Sequence, residues 1–149
     1  MMGRMDDRPR DRDEDARRLS VLNAEIEKVW PALSEGHFPT AFARLCDLLP
    51  EAAAVARRLD LQEEVDRFGG KLDEARTRAL VELETVAARA ERAVEAMYER
   101  DRATGAYADA KDLFADAIGL AKRLGLNDDA RKFEARLAEV KATFRGQSA

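Results

Sequence analysis

The chain has 149 residues, 46% of them hydrophobic and 38% charged, with a formal net charge of −4, which is length enough for one domain with a real core. No run reaches the roughly 18–20 apolar residues that cross a bilayer, and the one cysteine, Cys46, excludes an internal disulfide. Charges of both signs alternate along the chain, without the clustered basic face that phosphate neutralisation demands. The expectations are no membrane, no nucleic acid, and, since the N-terminus has no apolar stretch to act as a secretory signal, a place in the cytoplasm.

Four prolines and eight glycines interrupt a chain with 28 alanines. Alanine, leucine, arginine and glutamate are the strongest helix formers, and no alternating β-branched run is present, so an all-α fold is predicted. Residues 1–15 carry Arg4, Arg8, Arg10 and Arg12 among acidic residues with almost nothing apolar to bury. They are read as a disordered tail, with helix setting in near Asp13.

Apolar spacing then marks five helices. Leu19, Leu22, Ile26, Val29 and Leu33 recur every three or four residues, which places them on one face; Pro31 should kink or end that helix, and Gly36 stop it. The second helix is expected from Pro39–Thr40 to about Leu59, with a break or restart at Pro50. The third, long and central, carries Leu61, Val65, Phe68, Leu72, Ala75, Ala79, Leu83, Val86, Ala90, Ala93 and Met97 in one stripe as far as Arg102. The stripe slips once, as in a stutter, and Gly69-Gly70 weakens the helix locally. The fourth follows Thr104-Gly105 and presents Tyr107, Ala110, Phe114, Ala117, Ala121 and Leu124, ending at Gly125. Asn127 caps the fifth, with Asp128 and Asp129 in the first turn where the helix dipole favours them; its face is Ala130, Phe133, Leu137, Val140 and Phe144. Residues 146–149 read as a frayed end.

The two halves resemble each other. Residues 56–76 lie on 121–141 at a constant offset of 65, pairing Leu59 with Leu124, Leu61 with Leu126, Phe68 with Phe133 and Leu72 with Leu137. Upstream, Gly36-His37-Phe38 lies on Gly105-Ala106-Tyr107 at an offset of 69, a difference of about one helical turn. Duplicated hairpins stack because one hairpin cannot bury its own apolar face, and the last helix closes the array as a cap.

The spacing Gly105-x-Tyr107-x-x-Ala110-x-x-x-Phe114-x-x-Ala117 resembles the tetratricopeptide repeat, as does Gly119-Leu120-Ala121-Lys122-Arg123-Leu124-Gly125. Gly36-x-Phe38-x-x-Ala41-x-x-x-Leu45-x-x-Leu48 resembles it more loosely. The chain departs from the family at Asp101, where an aromatic is favoured, and at Glu25 and Lys28, where apolar residues are usual. The resemblance implies stacked antiparallel hairpins with a groove lined by the first helix of each. Groove positions carried over by motif are Asn23 and Trp30 in the first copy and Arg92, Glu95, Glu99 and Arg102 in the second. The family's lysine/asparagine clamp for a C-terminal carboxylate is not matched.

Catalytic chemistry is sparse. The single histidine, His37, sits in a turn nine residues before Cys46, too far along the chain for local pairing, and Cys46 reads as a small core residue. One histidine and one cysteine cannot build a zinc site, and no phosphate loop, nucleophile elbow or calcium loop is present. The expectation is therefore a non-enzymatic domain over residues 16–145 with no catalytic residue, metal or cofactor. It would act as an adaptor or scaffold that binds another protein, as peptide or helix, in its groove. The alternative is a self-associating structural protein that uses helix 61–102 as the seam of a homodimer. Twenty arginines against six lysines, with the alanine content, hint at a GC-rich bacterial source.

Overall fold

The computed structural model describes residues 9–99 and 103–148, with side chains over 11–99 and 103–146. Five α-helices follow one another, α1 Pro9–Val29, α2 Phe38–Arg58, α3 Gln62–Ala96, α4 Ala103–Arg123 and α5 Asn127–Ser148, with a 3-10 turn Trp30–Ser34 between the first two. The all-α class, the five helices and the long central one are as the spacing predicts. No described helix is long and apolar enough to cross a membrane. The chain divides into two compact units, with the boundary inside α3 between Thr77 and Arg78.

In the first unit, Pro31 in the opening turn of the 3-10 segment ends α1, and Gly36, at φ +85°, turns the chain into α2. The predicted stripe is the buried one: Leu22, Ile26 and Leu33 are covered, as are Phe42, Leu45, Leu49, Ala52 and Val55 of α2, on which α1 and the 3-10 turn pack. Phe38 and Phe42 stack with centroids 5.8 Å apart. Charged residues set the antiparallel register on the outside. Arg12 donates to the Leu59 carbonyl (3.3 Å), Arg58 binds Asp15 (3.0 Å), Arg18 binds Glu51 (2.5 Å) and Arg44 binds Glu25 (3.3 Å). As the α1 number rises, the α2 number falls, so these pairs form one ladder. Each exposed rung is worth at most about 1 kcal/mol, and together they disfavour a slipped pairing.

Each helix differs somewhere from the sequence reading. Helix α1 begins at Pro9, within the stretch assigned to the tail, since proline is tolerated in a first turn; residues 1–8 of that tail lie outside the described residues. Helix α2 runs through Pro50 without restarting. An interior proline costs a helix about 3 kcal/mol, but Pro50 is on the exposed side, and the buried Leu48, Leu49, Ala52 and Val55 hold the helix from both flanks. Helix α3 passes through Gly69-Gly70 yet stops at Ala96, short of Arg102. Thr104 and Gly105 sit inside the first turn of α4, where N–H groups need no partner one turn back. At the other end α5 takes in Asn127 as a helical residue and continues to Ser148.

The second unit holds the C-terminal part of α3 with α4 and α5. Ala90, Val94 and Met97 pack with Ala106, Ala110, Phe114 and Val140, and Phe133, Leu137 and Phe144 close over them. Tyr107 stacks on Phe144 with centroids 3.9 Å apart. Arg136 of α5 binds Glu91 of α3 through two nitrogens, at 2.8 and 2.9 Å. Among the described residues no polar or charged side chain is buried.

The repeat seen in sequence extends to the hydrogen bonds that end α2 and α4. Leu61 N–H donates to the Ala56 carbonyl (3.0 Å) and Asp60 N–H to Arg57 (3.1 Å); Leu126 N–H donates to Ala121 (2.8 Å) and Gly125 N–H to Lys122 (3.1 Å). Both ends are Schellman turns, which need a left-handed residue. The second has Gly125 at φ +77°, but the first forces Asp60 to φ 59°. Because a side chain is strained there and glycine is not, Asp60→Gly should raise the unfolding free energy measured in urea by up to about 1 kcal/mol. Gly125→Ala should lower it by about 1 kcal/mol. A loss of stability in Asp60→Gly would contradict this account of the turn.

Candidate functional site

Two surface clefts concentrate polar groups, one inside each unit. In the first unit α1 contributes Glu25, Lys28 and Val29, the 3-10 turn contributes Ala32, and His37, Thr40, Ala41 and Arg44 follow from the turn into α2. Glu25, Lys28 and Val29, spaced i, i+3, i+4, lie on one face of α1, and His37, Thr40, Ala41 and Arg44, spaced i, i+3, i+4, i+7, lie on one face at the start of α2. Val29, Ala32 and Ala41 form the floor and the charged residues the rim of a volume of about 380 Å³. The Glu25–Arg44 ion pair spans one end, and the Trp30–His37 turn bounds the other. Helices usually fill such a seam with large side chains; here two alanines leave it open.

In the second unit the opening is charged. Arg89, Arg92 and Ala93 of α3 and Asp109, Asp112 and Leu113 of α4 line about 400 Å³. Among the described residues none of these four charges enters an ion pair, in contrast to Glu91 next door, whose carboxyl is held below its ordinary range by its hydrogen bond to Arg136. Asp116, one turn beyond Asp112, is pushed upward by partial burial and by the Asp112 charge, against which Arg89 acts in the opposite sense. The groove thus carries two cations on one wall and a run of carboxylates on the other.

The positions taken from the repeat resemblance scatter. Arg92 lines the charged groove. Asn23 accepts a hydrogen bond from Arg67 (3.1 Å), which also holds Glu64 (2.6 Å). Trp30 is half-buried with the Lys71 ammonium 4.5 Å from its ring centroid, an attraction that ties α3 to the end of α1. Both are engaged within the first unit. Glu95 and Glu99 are exposed, and Arg102 lies outside the described residues. His37 is exposed at the edge of the apolar cleft, and Cys46, half-buried, is not part of its lining. Arg89, Asp109, Asp112 and Leu113 were not singled out by sequence. The available signal was the matched spacing of charge, charge and apolar residue at 89, 92, 93 and at 109, 112, 113.

Compared with protein-family models, with curated proteins and with solved structures, the chain matches none.

The Asp116 shift gives a signed expectation. A carboxyl raised above its ordinary 3.8 costs stability while charged, so Asp116→Asn should stabilise the fold at neutral pH by a few tenths of a kcal/mol, given its exposure. The gain should shrink as pH falls through the raised value and vanish below the ordinary one. Thermal unfolding of both proteins at neutral and acid pH checks this, and a gain that persists in acid would refute it.

Proposed function

We propose that the chain is a non-enzymatic interaction module, an adaptor or scaffold that binds a partner protein, as peptide or helix, in a helical groove. The observation that carries this reading is the α3–α4 groove, where Arg89 and Arg92 stand on one wall and Asp109 and Asp112 on the other with no ion pair to each other among the described residues. Charges left unneutralised at an opening select a partner of complementary pattern, giving specificity and association rate more than raw affinity. The leucine and alanine residues around them supply apolar contact.

The finer placement in the tetratricopeptide-like class is supported by the duplicated Schellman turns at Asp60 and Gly125 and by the repeat at offset 65. We place the protein in the cytoplasm on its single cysteine, and in a GC-rich bacterium on the excess of arginine over lysine. Self-association comes second. The stripe a helix seam would use is already covered, with Phe68, Ala79, Leu83, Val86, Ala90 and Met97 all buried. Only the opposite side of α3, where Leu80 is 48% and Val81 62% exposed, offers such a contact.

The test is a partner recovered on the full chain from its source cells and titrated by calorimetry after purification. The double reversal Arg89→Glu/Arg92→Glu should weaken binding at least tenfold, about 1.4 kcal/mol or more, while Arg17→Glu on an exposed position of α1 leaves it unchanged. Equal affinity in all three proteins would remove the groove from the interaction. A partner lost only on Leu80→Asp/Val81→Asp, together with a dimeric solution mass for the parent, would favour self-association.

A further inference from the structure

We propose that the α1–α2 cleft of the first unit is a binding site for a small monocarboxylate that carries a short apolar tail. This stands apart from the charged α3–α4 groove and does not depend on it. The volume, about 380 Å³, falls in the range of small-molecule sites, which combine an apolar lining with a few placed polar groups. Here Val29, Ala32 and Ala41 give the apolar floor, and Ala41 is 3% exposed, so the floor reaches the core. From Glu25 to Ala32 the wall, α1 as far as Val29 and then the 3-10 turn, is roughly 12 Å long at about 1.5 Å per α-helical and 2.0 Å per 3-10 residue. The Glu25–Arg44 pair closes one end and the turn at His37 the other. A cleft of that length matches one short tail.

The rim sets the sign of the head group. Arg44 and Glu25 neutralise each other at 3.3 Å. Lys28 enters no ion pair among the described residues, which leaves one surplus positive charge at the mouth. The Thr40 hydroxyl and the His37 ring at the same mouth each have a donor to offer. A carboxylate head would meet Lys28 and these donors; an ammonium head would meet only a carboxylate already engaged by Arg44. Apolar floor and surplus cation together call for an anionic head on an apolar tail.

The probe is octanoate, titrated into the full ¹⁵N-labelled chain, with acetate and octylammonium as controls. Octanoate should give saturable amide shifts at Ala32, Thr40 and Ala41, acetate none, and octylammonium binding weaker by about tenfold or more. Lys28→Glu, an exposed change that leaves the core alone, should weaken octanoate about tenfold. Ala32→Leu, which places a side chain in the slot, should abolish it while amides outside the first unit keep their positions. Equal binding of octylammonium would mean an adventitious additive only and would overturn the proposal. So would shifts centred away from the cleft, undiminished binding in Lys28→Glu, or no saturable shift.

Discussion

Two reversals of the chain hold the architecture in place. In each, an amide reaches back five residues, from Leu61 to Ala56 and from Leu126 to Ala121, and the residue before it must adopt a left-handed backbone. That geometry ends a helix and starts the next within two or three residues. It fixes the direction in which α3 leaves α2 and α5 leaves α4, and with it which faces can meet. The apolar stripes then have one partner within reach. Burial of Phe42, Phe68 and Phe114 to 1% exposure or less follows from this closure.

With the core wholly apolar among the described residues, polar chemistry is confined to the outside, and the two units use it differently. In the first, Arg18, Arg44 and Arg58 pair across the seam with Glu51, Glu25 and Asp15, and Arg12 extends the ladder to the Leu59 carbonyl. In the second, Arg136 is bound to Glu91 and Glu139, but Arg89, Arg92, Asp109 and Asp112 face an opening. The cleft of each unit lies on the seam between a hairpin's first and second helices, and Thr40 and Asp109, one from each lining, are related by the same offset of 69 that aligns the hairpin turns. The place is the same and the lining differs, apolar with one spare cation in the first unit and charged in the second.

The sequence displays the helices plainly because burial repeats with the turn of the helix. Leu22 and Ile26 in α1, Leu33 in the 3-10 turn, Phe68, Ala75, Ala79, Leu83, Val86 and Ala90 in α3 and Met97 just past it are buried where the three-and-four spacing sets them. Pro31 and Gly125 act locally, so they too can be read directly. Pro50 misleads, since its cost is local and the burial that outweighs it comes from another helix. Asp60 hides a left-handed turn because nothing in its identity requires one; only the alignment with Gly125 points to it. The clefts are the least legible. Each depends on small or charged residues from two helices in a particular register, and that register is set by pairs such as Arg18–Glu51 that no single helix contains. The groove positions inherited from the repeat pattern suffer likewise: Asn23 and Trp30 match the motif but are occupied by Arg67 and Lys71.

One feature of α3 bears on how the first unit moves. At Gly69 and Gly70 an added Cβ would meet no atom within 4 Å, so no close approach of another segment requires glycine there. The two together forgo about 2 kcal/mol of backbone preference relative to alanine. The helix is kept intact at that point by its neighbours Phe68 and Ala75, both fully buried, and not by the backbone itself. Fraying of α3 therefore has a natural starting place in its interior, directly after the residue that anchors it, and the amide protons around this pair belong with the first in the helix to exchange with solvent.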